Sequence, residues 1–73
     1  MAEPLNTMTI QQALELAGQH YNAGHLSEAE AIYQQILKQD PNQADATYML
    51  GVLAYRVEKH ELAVQLITRA ITI

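Results

Sequence analysis

The segment SEAEAIYQQILKQDPN, Ser27 to Asn42, carries a helix and its stop signal in sixteen residues. Ala29, Tyr33, Ile36 and Leu37 fall at i, i+4, i+7 and i+8, which lays one apolar stripe along a helix. Ser27 followed three residues later by Glu30 is a capping-box pattern and predicts the start of that helix. Its end is predicted near Gln39, because Pro41 disfavours helical geometry at Asp40, and Asn42 is then placed to cap a further helix.

The same logic extends in both directions. Upstream, Thr9 with Gln12 is another capping box, so a helix is predicted from about Ile10, with Ile10, Ala13, Leu14, Leu16, Ala17 and Tyr21 on its apolar side. Gly24 is predicted to end it by adopting the left-handed conformation that closes helices. Downstream, Gln43 to Val57 reads as a third helix with two apolar stripes: Ala46, Leu50, Ala54 and Val57, and beside them Tyr48, Val52 and Tyr55. A helix apolar on more than one side is one packed between neighbours. After the charged cluster Glu58 to Glu61, the residues Ala63, Ile67, Ala70 and Ile71 repeat the spacing of Ala29, Tyr33, Ile36 and Leu37, so a fourth helix copies the second.

Shifting the chain by 34 residues places Leu16 on Leu50, Tyr21 on Tyr55, Ala29 on Ala63 and Leu37 on Ile71, with both turns in register. Ala17 falls on Gly51, so the small residues Ala17, Ala29, Gly51 and Ala63 recur as a set. Two antiparallel helices approach closely only where neither carries bulk, which gives that set a mechanical reason.

Composition limits what such a chain can be. Seventy-three residues make one small domain. Eight acidic against four basic residues give a net charge of −4, which repels phosphate backbones, so nucleic acid is not expected as a partner. No cysteine is present, hence no disulfide, thiolate metal site or cysteine nucleophile. The longest uncharged apolar stretch, Tyr48 to Tyr55, is eight residues, far below the roughly 20 needed to span a bilayer. With no signal-peptide pattern at the start, a cytoplasmic protein with no membrane association is expected.

Candidate chemistry is sparse. His20 and His25 are five residues apart across the Gly24 turn and so do not share a helix face; no metal site is expected, with His20 partly buried and His25 and His60 solvated. Ser27 is accounted for as a helix cap, and Glu28 and Glu30 suit the positive end of a helix dipole. No catalytic machinery and no cofactor are therefore expected. The tyrosines are the more informative group: Tyr33 lies on the core stripe, whereas Tyr48 and Tyr55 either fill space between hairpins or form a recognition surface.

With Leu16-Ala17, Tyr21, Gly24, Ala29, Tyr33, Leu37 and Asp40-Pro41-Asn42 in one copy, and Leu50-Gly51, Tyr55, Ala63, Ile67, Ala70 and Ile71 in the next, the chain resembles the tetratricopeptide repeat (TPR) family. The resemblance implies an all-α fold of two helix-turn-helix hairpins, four helices in a short right-handed α-solenoid. It divides the chain into an N-terminal extension over 1–8, a first repeat over 9–42 and a second over 43–73, which stops two residues before its closing proline, as if cut from something longer. Glu58 stands where the family usually places a turn glycine, implying a strained or reshaped turn.

The family's function is protein or peptide recognition through a concave groove. Carried onto this sequence, that groove is lined by Gln11, Leu14, Gly18 and Tyr21, and by Asp45, Tyr48, Val52 and Tyr55, with Arg56 at its edge. The lysine and asparagine pairs by which a subset of the family holds a C-terminal carboxylate are not matched, since Leu14 and Gly18 stand at the first pair. The wording of Ala29 to Asn42 and of Leu50 to Tyr55 is also similar to the N-terminal repeats of bacterial proteins that carry an O-linked N-acetylglucosamine-type glycosyltransferase downstream, which implies a targeting role as an alternative. Finally, a terminal repeat needs a polar cover. Helix four has none in this sequence, so Leu66, Ile67, Ala70 and Ile71 are expected to drive self-association into a homo-oligomer, each large side chain being worth roughly 1.5 to 3 kcal/mol when buried.

Overall fold

A computed structural model describes residues 8–72; the expected extension over 1–8 falls, except for Met8, outside the described residues, as does Ile73. Four helices follow one another: α1 (Ile10–Asn22), α2 (Leu26–Gln39), α3 (Ala44–Arg56) and α4 (His60–Thr72). α1 packs on α2 and α3 on α4 as antiparallel hairpins, and α3 also packs against α2, the sandwiched position expected of it; of its two expected stripes, however, only the one with Ala46 and Ala54 is buried, while Tyr48 and Tyr55 of the other are exposed.

The start of α1 is set by the expected capping box. The Gln12 N–H donates to Thr9 Oγ1 at 3.0 Å, and the Thr9 N–H donates to Gln12 Oε1 at 3.0 Å. Gly24 ends α1 as expected, with φ of 84°. The chain closes there with paired backbone bonds, the Gly24 N–H donating to the Tyr21 carbonyl at 3.0 Å and the His25 N–H to the His20 carbonyl at 2.8 Å.

The other two expected caps are corrected. α2 begins at Leu26, so Ser27 lies inside the helix and His25 holds the N-cap position without a side-chain capping bond. Three residues separate Asn22 from Leu26, and the His25 carbonyl already accepts from the Ala29 N–H at 3.1 Å, so the helical bonding begins ahead of Ser27. Glu30, the expected second half of that box, instead accepts from Gln34 Nε2 at 3.4 Å. Asn42 is not the cap of α3 either. Its N–H donates to Asp40 Oδ1, and the Gln43 N–H donates to the Asp40 carbonyl, so Asp40 organises a turn. Gln43 then caps α3, its Oε1 accepting from Asp45 N–H at 2.7 Å and Ala46 N–H at 3.3 Å.

The core is built from small residues and a few large ones. Ala13, Ala17, Ala29, Ile36 and Ala46 are fully enclosed, with Ile32, Tyr33 and Leu53 around them. The set of small residues read from the repeat does what the sequence requires of it: all four members are buried. At Gly51 an added Cβ would lie 2.7 Å from Ile67 Cγ1 and 3.2 Å from Leu66 Cβ, so α4 is seated directly against the α3 backbone. Burial pushes the Tyr33 phenol above the usual range, with Tyr21 and Asp45 adding to the effect.

One expected core residue is outside. Val57, placed on a stripe with Ala46, Leu50 and Ala54, is 54% exposed, because α3 ends at Arg56 and Val57 already belongs to the turn.

Candidate peptide-recognition face

The residues assigned to the groove fall on one face of each of two helices. On α3, Asp45, Tyr48, Val52, Tyr55 and Arg56 lie opposite the buried Ala46, Thr47, Gly51, Leu53 and Ala54. On α1, Gln11, Leu14, Gly18 and Tyr21 recur at i, i+3, i+7 and i+10, with Ala13 and Ala17 turned to the core. The two faces are joined at one end: Arg56 Cζ lies 5.3 Å from the centroid of the Tyr21 ring, a cation–π contact between α3 and α1. Tyr21 is thereby half-buried beneath the guanidinium.

Tyr48 and Tyr55 are 48% and 64% exposed, so neither ring fills space between hairpins. Tyr55 is held instead by His60, whose ring centroid is 5.2 Å away at an interplanar angle of 34°. Val52 and Leu14 are half-buried, Leu14 packing against the core, while Gln11 and Asp45 are exposed. Gly18 is also half-buried, yet a Cβ built on it would meet nothing within 4 Å, so bare helix backbone faces open space there. The face is thus a row of aromatic and aliphatic side chains with one cation and one carboxylate.

Among the described residues no cluster of three or more His, Cys, Asp or Glu is positioned to hold a metal ion. No helix of the described residues is long and apolar enough to cross a membrane.

For two such hairpins the comparison with protein families is decisive. A family model described as "Tetratricopeptide repeat" matches residues 12–73. The chain belongs to the tetratricopeptide repeat family. No curated protein matches it. Tetratricopeptide repeats mediate protein–protein interaction and scaffolding and are typically non-catalytic.

Two features of this tetratricopeptide chain were hidden in its sequence. The first is a cleft of about 450 Å³ on the opposite side of α3, between α2 and α4, lined by Leu26, Leu50, Leu53, Val57, Leu62 and Leu66 together with Glu30, Gln34 and Lys59. Three helices build it, so no single helical stripe announces it. The second is the meeting of His20 and His25, whose Nδ1 atoms lie 3.4 Å apart. The two histidines do not share a helix face, as their spacing requires, but the turn at Gly24 folds one back on the other.

The residues expected to form a self-association face are divided by the structure. Leu66, Ile67 and Ala70 are half-buried, Leu66 in the cleft and Ile67 against Gly51. Ile71 is 78% exposed, and the other open apolar side chains of α4 are Leu62 and Val64.

Proposed function

We propose that the chain is a recognition module that binds an extended peptide or a protein segment across the α1 and α3 face. The observation that carries this reading is the exposure of Tyr48 and Tyr55 on a face shared with Val52. Large rings left in water on a small domain contribute little to its fold, and rings of this type supply contact area at low entropy cost on binding. Arg56 lies over Tyr21 at the far end of the face, where its guanidinium N–H groups can donate to a carboxylate or carbonyl oxygen of a bound chain.

Peptides selected on the full chain from a random phage-displayed library test the reading. Binding of a selected peptide should weaken by about tenfold or more in Tyr48→Ala and Tyr55→Ala, since aromatic anchors of this kind typically cost 2 kcal/mol or more, in round terms, when truncated. Peptides whose binding both variants retain in full would overturn it.

A second reading assigns α4 to self-association, supported by the exposure of Val64 and Ile71 seven residues apart on one side of the helix. Sedimentation that finds only monomer at high concentration counts against it. The likeness of Ala29 to Asn42 and Leu50 to Tyr55 to repeats that precede bacterial glycosyltransferases supports a targeting use of the same face, with catalysis elsewhere in a parent chain. Reading the parent gene tests that alternative directly.

A further inference from the structure

The two inter-helix turns provide an internal comparison. In both, the chain leaves a helix through a left-handed residue, Gly24 or Glu58, and the same pair of backbone bonds closes the turn. His25 N–H to the His20 carbonyl has its counterpart in Lys59 N–H to the Ala54 carbonyl, each 2.8 Å. The turn therefore forms equally well with alanine and lysine at the two positions, and nothing in its backbone calls for histidines.

Nor does the helix that follows. His25 occupies the N-cap of α2, where Ser, Thr, Asn and Asp are favoured because their side chains accept from the first helical amides. It makes no such bond. Its ring is turned back over the turn to His20, with centroids 5.6 Å apart and planes inclined at 46°.

The separation of the facing nitrogens carries chemical information. At 3.4 Å the Nδ1 atoms are at the far limit of a hydrogen bond, whose usual length is about 2.9–3.0 Å. Two imidazole nitrogens bound to one tetrahedral zinc at about 2.0–2.1 Å are spaced about 3.3–3.4 Å, the edge of the tetrahedron. A square-planar centre with bonds of that length would bring them to about 2.9 Å. The backbone bond between the same two residues, 2.8 Å from the His25 N–H to the His20 carbonyl, brings their main chains together on the side where the rings face each other.

We propose that His20 and His25 form a two-imidazole site for a divalent d-block cation of tetrahedral preference, with zinc as the best fit. Both bind through Nδ1, and the remaining positions are open to water or to ligands of another molecule, because His25 is exposed and His20 half-buried. With two protein ligands the ion is held less tightly than in a closed four-ligand site, so it attaches to a folded module and does not build it.

Zinc chloride added to the full chain, followed by imidazole NMR resonances and by calorimetry, is the test. One equivalent should shift the His20 and His25 rings together and leave His60 in place. His20→Ala and His25→Lys copy the residues of the second turn and so keep the fold, which circular dichroism verifies. Each should lower the zinc affinity by about an order of magnitude or more, while His60→Gln leaves it unchanged. Zinc binding that survives both substitutions, or that moves only His60, or no response of either ring at millimolar zinc, would overturn the proposal.

Discussion

Gly24 and Glu58 stand at matching places in the two hairpins and hold the same left-handed backbone, with φ of 84° and 66°. Each closes its helix with an N–H bond to a tyrosine carbonyl, Gly24 to Tyr21 and Glu58 to Tyr55, both 3.0 Å. The missing glycine therefore strains the second turn without reshaping it. A residue with a Cβ pays roughly 1–2 kcal/mol for this conformation, against which glycine loses about 0.5–1 kcal/mol more chain entropy on folding. Glu58→Gly should raise stability by about 0.5–1 kcal/mol and the melting temperature by a few degrees, and Gly24→Ala should lower both; thermal unfolding of the two variants checks the pair.

Gly51 and Gly18 are both helical, and they should respond to alanine with opposite signs. At Gly51 the new methyl meets Ile67 Cγ1 at 2.7 Å, Leu66 Cβ at 3.2 Å and the Ala63 carbonyl at 3.3 Å, so α4 must retreat. Overpacking of this kind costs about 1–3 kcal/mol and outweighs the gain of about 1 kcal/mol in helix propensity. Gly18→Ala meets open space and keeps the propensity gain, so urea midpoints should fall for Gly51→Ala and rise for Gly18→Ala.

Tyr33 makes stability depend on alkaline pH. Its phenol is raised above the ordinary value, first by burial and then by Tyr21 and Asp45, so the folded state holds its proton where the unfolded chain has released it. The contribution is complete below the free-phenol value of about 10 and is lost as pH rises through that value toward the folded one. Denaturant midpoints measured between about pH 9 and 11 should therefore fall more steeply for the native chain than for Tyr33→Phe.

The helix-one cap is separable from the rest of the fold. Thr9→Ala removes the acceptor of the Gln12 N–H and frees the reciprocal bond to Gln12 Oε1. A loss of about 1 kcal/mol is expected, with hydrogen exchange accelerated in the first turn of α1 and little changed in α4.

Much of this architecture is legible in the residues themselves. The turn at Gly24, the start of α1 at Ile10, the end of α2 at Gln39 and the close-packed Ala17, Ala29, Gly51 and Ala63 follow from spacing and from side-chain size alone. Caps are less legible, because Ser27 with Glu30 satisfies a four-residue pattern as well as Thr9 with Gln12 does. Only the length of the preceding turn decides that Leu26 comes first. Thr47 escapes hydropathy for a different reason: it is 1% exposed, its hydroxyl donating to the Gln43 carbonyl at 3.1 Å, so its polarity is spent locally and its methyl packs. The His20 and His25 contact and the cleft beside Leu62 arise from chain reversal and from three helices meeting, which no periodicity within one helix encodes.

The recognition face itself is tested by mapping a selected peptide onto the full chain through chemical-shift perturbation. Shifts concentrated at Leu14, Gly18, Tyr21, Tyr48, Val52 and Tyr55 are the expected result. Shifts confined to Leu26, Leu62 and Leu66, on the far side of α3, would contradict it and move the binding site to the cleft.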